Sequence, residues 1–204
     1  MARGNRQSRT FIEEARRRQI VGAAIETLAE HGYDGASLER IAQRVGISRG
    51  LISYHFEGRA DLMAAVVATV FREGAAYIRP HLEGTMTPGQ RFEAALRSNL
   101  EFMRDHRAEI VAVVEIGQGG GRTELGSARD DIARGIAALE QLLHAGQESG
   151  EFGHFDPHIM AVTIRTVIDG VPRQIARNPG LDLDLWTDEI VGTFMRSLAR
   201  GVET

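Results

Sequence analysis

Arg49, Ser53, Tyr54 and His55 lie in one short stretch whose other members, Leu51, Ile52 and Phe56, are apolar. As a helix, Arg49 to Phe56 would carry hydrogen-bonding groups beside an apolar anchor, the two properties an element needs when it is inserted into a DNA groove. Gly50 near its start either lets the backbone approach a phosphate closely or serves packing at the turn. A second set of polar residues interrupts apolar runs: Glu115 beside Val113, Val114 and Ile116, and likewise Asn99, Arg165 and Asp169. A buried carboxylate needs a partner. Glu115 is therefore expected to pair internally, with Arg165 as the candidate, to face solvent, or to meet a cationic ligand. No nucleophile stands with a placed base, no carboxylates pair as in glycosidases, and no cofactor fingerprint occurs, so an enzyme is not expected. The chain has no cysteine. His154 and His158 are separated by Pro157, with only Asp156 to assist, so neither a metal site nor a cofactor is expected. The glycine-rich run Gly117 to Gly121 lacks the preceding strand and the following Lys-Ser or Lys-Thr of a phosphate loop, and reads as a connection.

Three helices are expected to position the Arg49 stretch. Thr10 and Glu13 have capping-box spacing, and Ile20, Ala24 and Leu28 follow at helical intervals up to about His31, where Gly32 permits the stop. Ser37 caps a second helix with Leu38, Ile41, Ala42 and Val45 on one face. Gly46 ends it and Ser48 caps the third, leaving a turn of three or four residues, the spacing of a helix-turn-helix.

The net charge of -4 hides an asymmetry. Residues 1–60 hold ten Arg against seven acidic residues, and the remainder holds fourteen against twenty-one. Arg3, Arg6, Arg9, Arg16, Arg17 and Arg18 oppose only Glu13 and Glu14, a bias suited to following a polyanion or to a solvated tail. All 24 basic residues are Arg. The longest apolar run, Met63 to Phe71, is too short to span a membrane. A soluble, cytoplasmic protein with no membrane partner is expected.

The series Ala23, Ala24, Leu28, Gly32, Tyr33, Ser37, Leu38, Ile41, Ala42, Val45, Gly46, Ile47, Ser48, Gly50, Ile52, His55, Phe56, Arg59 and Leu62 resembles the DNA-binding signature of the TetR family of transcriptional regulators, over roughly residues 12–65. Two positions depart from it: Ser53 replaces a frequent aromatic and Arg59 a frequent Lys. The resemblance implies that Ser37 caps the second helix and touches a phosphate, and that Arg49, Gly50, Leu51 and Ser53 face base edges. Tyr54 and His55 would contact the DNA backbone, and Arg59 would stand beside a phosphate at a helix N-terminus. Ser48 belongs to the same surface, and Arg40 and Arg44 are weaker candidates on the solvated face of the second helix. Arg49 is the foremost reader, since a guanidinium can grip two acceptors on guanine.

Beyond Arg59 the pattern is all-α, about nine helices in total. Expected domains are a flexible basic arm (1–10), the helix-turn-helix head (11–58) and a ligand-binding and dimerisation body (59–204). Helices are expected from Arg59 to Ile78 before Pro80, from Thr87 and Pro88 along Phe92, Leu96, Leu100 and Met103, from Ala108 to Gly117, and along Leu125, Ile132, Ile136, Leu139 and Leu143. An eighth starts after Asp156 and Pro157, with Pro172 expected to kink it. It has Met160, Ile164, Val167 and Val171 on one face and Ile159, Val162, Thr166 and Gly170 on another. The ninth has Trp186, Ile190, Phe194 and Leu198 beside Val191 and Met195. Helices apolar on two faces must bury both, and a second subunit is the natural owner of one. The expected interface is Ile159, Val162, Thr166, Gly170, Trp186, Ile190 and Phe194. Candidate pocket residues are Phe71, Tyr77, Phe92, Leu96, Asn99, Leu100, Met103, Val113, Glu115, Leu139, Ile164, Arg165 and Val167, each of which could equally be plain core or internal pairing. The resemblance implies a one-component repressor: a homodimer on a palindromic double-stranded DNA operator, released by a small-molecule effector. The alternatives are a ligand-responsive activator and a helical interaction protein whose head no longer reads DNA.

Overall fold

The computed structural model describes residues 2–119, 126 and 129–199, with side chains from Ile12 onward. The described elements are α-helices α1 (Ala2–Gly35), α2 (Leu38–Val45), α3 (Arg49–His55), α4 (Arg59–Ile78), α5 (Pro88–Asp105), α6 (Arg107–Gln118), α7 (Arg129–Glu148), α8 (Pro157–Arg177) and α9 (Leu183–Leu198), with a 3-10 turn over Arg79–Leu82. No strand occurs among the described residues, only an isolated antiparallel bridge between Phe152 and Ala199. The fold is all-α.

Two boundaries differ from expectation. The α1 helix begins at Ala2 rather than at Thr10: residues 2–9 contain three Arg and a Gln, all good helix formers, so the backbone continues past the capping-box spacing. The α6 helix runs to Gln118, so the glycine-rich connection starts later than Gly117. Gly120, Gly121 and Leu125 lie outside the described residues.

The chain forms two compact units: unit 1 comprises residues 1–70 and 111–127, unit 2 comprises residues 71–110 and 128–204. In unit 1, Ile20, Leu28, Ile41, Ile52, Phe56, Leu62 and Ile116 are fully or almost fully buried. Helices α2 and α3 have only eight and seven residues. Elements so short owe their geometry to caps and neighbours rather than to intrinsic helicity.

Unit 2 is built from long amphipathic helices. The α5 helix packs against α7 and α9, and α7 packs against α8. Phe92, Leu96, Leu100, Leu143 and Ile164 form its apolar centre. Phe92 and Phe152 meet edge to face at 5.8 Å, and a Cβ on Gly146 would overlap the Phe152 ring. Thr87 and Gln90 close a capping box at the start of α5. The Glu151 carboxylate accepts from the Thr87 hydroxyl at 2.7 Å, the Gly89 N–H at 3.2 Å and the Ser149 hydroxyl at 3.1 Å. Those donors, Thr87 first, hold the Glu151 carboxyl below its ordinary range. Along α5 and α9, Arg97 pairs with Asp188 at 2.8 Å and Arg104 with Asp184 at 2.6 Å. The α8 helix continues past Pro172 to Arg177. No helix among the described residues is long and apolar enough to cross a membrane.

Candidate nucleic-acid interface

The two short helices of unit 1 are set by local chemistry. The Ser37 hydroxyl accepts from the Arg40 N–H at 3.2 Å and caps α2. Gly46 then takes a left-handed conformation (φ 74), which costs glycine little, and the Ile47 N–H returns to the Ala42 carbonyl at 3.0 Å. Ser48 accepts from the Leu51 N–H at 3.3 Å and caps α3. Ile52 and Phe56 are buried beneath α3, whereas Arg49, Gly50, Ser53 and Tyr54 are exposed and Leu51 and His55 half-buried. Tyr54 is 66% exposed, with its ring edge-on to His55 at 5.1 Å. The α3 helix thus combines a buried anchor with a polar outer surface.

The arginines of unit 1 separate by what they already hold. Arg17 donates to the His55 carbonyl and lies over the Phe56 ring at 4.1 Å, fastening the end of α3 to α1. Arg40 donates to the Gly35 carbonyl at 3.0 Å. Arg44 pairs with Glu30 and, at 3.1 Å, with Glu26. Its hydrogen bond with Glu30 lowers the Glu30 carboxyl below its ordinary value. Arg59, expected beside a phosphate, donates to the carbonyls of Tyr33 and Ala36 and stacks over the Tyr33 ring at 3.8 Å. Its guanidinium reaches two carbonyls at the turn between α1 and α2, where the regular helical ladder stops. By contrast, the Arg49 guanidinium is exposed and has no partner among the described residues. Gly50 is helical, and a Cβ there would meet only Ser48 Oγ at 3.8 Å. Nothing in the packing demands glycine at that position.

Glu115 Oε2 accepts from the Tyr33 N–H at 3.2 Å within unit 1, since the break at Gly32 brings that amide to the carboxylate. Arg165 pairs with Asp169 at 2.6 Å, one helical turn away on α8. Arg17 and Tyr33 are among the residues of unit 1 whose fastening roles sequence reasoning missed. Tyr33 stood in the family series and Arg17 in the basic run, but neither signal names a partner.

In unit 2, the proposed pocket residues Phe92, Leu96, Leu100, Met103 and Ile164 are buried as core, and Phe71, Tyr77 and Leu139 are half-buried. Val113, in unit 1, is half-buried. Val167 is 41% exposed and so is not a wall of the unit's interior. It shares the outer side of α8 with Ile159, Val162 and Thr166, because the inner side is occupied by Ala161, Ile164, Ile168, Val171 and Ile175. Gly170, Trp186 and Ile190 are half-buried. Phe194, expected at an interface, is only 8% exposed and faces inward with Val191 and Leu198. Leu185 on α9, which was not anticipated, is exposed instead. Asn99 Oδ1 and Arg165 Nε are buried without a hydrogen-bond partner among the described residues. His158 pairs with Glu140 at 2.9 Å.

Residues 20–66 match the family described as bacterial regulatory proteins, tetR family. The chain is 32% identical over 181 residues to the HTH-type transcriptional repressor Rv1474c of Mycobacterium tuberculosis, covering 78% of this chain and 94% of that protein. It is 30% identical over 102 residues to the HTH-type transcriptional activator FasR of Mycolicibacterium smegmatis, covering 50% of this chain and 47% of FasR. The chain thus spans about half the length of that curated relative. A crystal structure of a bacterial regulatory protein in the tetR family from Rhodococcus RHA1 shares the fold, with a TM-score of 0.76 at 18% identity over 91% of this chain and 97% of that one. With a match that spans nearly all of one relative and a head built on capped, glycine-broken short helices, the chain belongs to the tetR family of bacterial regulatory proteins.

Proposed function

We propose that this protein is a one-component transcriptional repressor that binds a palindromic operator as a homodimer and is released by a small-molecule effector. One observation carries the DNA-reading part: Arg49 stands on the exposed side of a capped recognition helix with no partner among the described residues, while Arg17, Arg40, Arg44 and Arg59 each hold contacts within the head. Arg49 then reads a base, with Ser53 beside it and Tyr54 and His55 toward the backbone. A repressor sign is supported by the likeness to a repressor along nearly its whole length; the shorter likeness to an activator makes activation the second reading.

Homodimer formation is supported by the outer side of α8, where Ile159, Val162 and Val167 are exposed together. Apolar side chains gathered this way favour burial against a twofold-related copy. Two heads about one DNA turn apart would then read the two half-sites. Unit 2 supplies the effector site, with Asn99 Oδ1 as an acceptor and Arg165 Nε–H as a donor awaiting partners. A ligand that binds the released geometry more tightly than the operator-bound one shifts the population between them.

Selection of duplex DNA from a random pool by the full chain tests this reading. A palindromic sequence should be enriched, and its binding should weaken with salt at a slope of about 0.9 per phosphate contact. Arg49→Ala should lose about 1–3 kcal/mol on that duplex and relax the preference at one base pair per half-site. Failure to enrich any sequence would leave a helical interaction protein.

A further inference from the structure

Three contacts converge on the link between α1 and α2. Gly32 breaks α1 with φ 69 and ψ 179, a left-handed value of φ that favours glycine. Glu115 Oε2 accepts from the next residue's N–H, that of Tyr33, at 3.2 Å, and it also lies 3.1 Å from where a Cβ on Gly32 would stand. The carboxylate therefore occupies space that only glycine leaves open. One turn further along, a Cβ on Gly119 would overlap the Tyr33 ring, so α6 presents a carboxylate to the backbone of Tyr33 and the glycine that follows α6 presents a bare backbone to its side chain. Arg59 stacks on the same ring and donates to the carbonyls of Tyr33 and Ala36. The Ala36 N–H returns to the carbonyls of Gly32 and Tyr33, each at 3.2 Å, and Ser37 follows as the cap of α2.

We propose that Glu115 is a positioning residue for operator recognition: by holding the Tyr33 amide at the Gly32 break, it sets the direction in which α2, and with it α3, leaves α1. The proposal rests on the DNA-reading function above. Its physical basis is leverage. A single charge-assisted hydrogen bond adds modestly to stability, but this one acts at the joint before two helices too short to fix their own orientation. A small angular error there displaces Arg49 from its base edge, whereas contacts that merely follow a polyanion tolerate it.

The test compares full-length wild type, Glu115→Ala, Glu115→Gln and Gly119→Ala. Binding is measured by fluorescence anisotropy on the duplex that wild type enriches from a random pool and on a random duplex of equal length. Glu115→Ala should bind the enriched duplex about tenfold more weakly, equivalent to about 1.4 kcal/mol, with the random duplex changed by less than about twofold. Glu115→Gln retains an acceptor oxygen and should bind both duplexes like wild type. Gly119→Ala should show the Ala pattern with Glu115 intact. Hydrogen exchange at the Tyr33 amide should be faster in Glu115→Ala and restored in Glu115→Gln. Unchanged binding of the enriched duplex by Glu115→Ala overturns the proposal, and so does an equal loss on both duplexes, the mark of general destabilisation. Were wild type to enrich no sequence, the DNA-reading function would fall by itself; unchanged Tyr33 exchange in Glu115→Ala would still overturn the joint.

Discussion

The two compact units use the same side chains to opposite ends. In unit 2 the arginines close distances between long helices: Arg97 and Arg104 reach carboxylates on α9, and Arg107 donates to the carbonyls of Pro179 at 3.0 Å and Leu181 at 2.5 Å. Those helices already bury a wide apolar centre, so the ionic contacts refine a packing that the hydrophobic effect sets. In unit 1 the helices that carry the reading surface are too short for that. There Arg17 and Arg59 take over the fastening by donating to carbonyls and stacking on rings, while Arg49, on the outer side of α3, has no partner among the described residues. An uncommitted arginine is informative only where its neighbours are committed.

The largest effect that separates the units should come from Phe92→Ala, which empties the centre of unit 2 and should cost about 3–5 kcal/mol in urea unfolding. A cost below about 1 kcal/mol would mean that the ion pairs, rather than the apolar centre, hold that unit. Next, Arg59→Ala should destabilise unit 1 by about 1.5–3 kcal/mol, through loss of hydrogen bonds made by a charged donor. Because the guanidinium is engaged internally, the salt slope of DNA binding should not change. A slope lower by about 0.9 would reinstate Arg59 as a phosphate contact.

A smaller effect should have opposite signs in the two measurements. Gly50→Ala should raise stability by up to about 1 kcal/mol, since the helical backbone has room for a methyl group. It should nevertheless weaken binding to the enriched duplex if the backbone of α3 approaches a phosphate at that point. Improved stability with unchanged binding would reduce Gly50 to a tolerated weakness in the helix. The smallest effect belongs to unit 2. The hydrogen bond that His158 donates to the Glu140 carboxylate raises the His158 pKa, so the contact contributes stability that is fully present below the ordinary histidine pKa and is lost as pH rises through the raised value. NMR titration should show His158 returning to an ordinary value in Glu140→Gln, with no change in DNA binding.

Much of this was legible in the sequence. Ser37, Gly46, Ser48, Thr87 and Pro88 mark helix ends through bonds to residues a few positions away, and the structure uses each of them as a cap, a stop or a first helical residue. The buried stripes on α2 and α5 follow from helical periodicity for the same reason. The site was legible only in outline. Residues 49–56 announced a helix with a polar side and an apolar side, but the composition of the stretch cannot distinguish the exposed Arg49 from the engaged Arg59.

The sequence by itself determined most of the helices, the caps of α2, α3 and α5 and the location of the polar third helix, because each depends on interactions within one turn of the chain. Tertiary structure alone decided that Arg59 turns to the carbonyls of Tyr33 and Ala36, that Glu115 meets the Tyr33 amide, that Phe194 faces the core, and that Val167 faces out. These outcomes depend on which groups arrive from distant parts of the chain and on which side of a doubly apolar helix its own unit covers first. Periodicity shows that two faces exist, and packing selects between them.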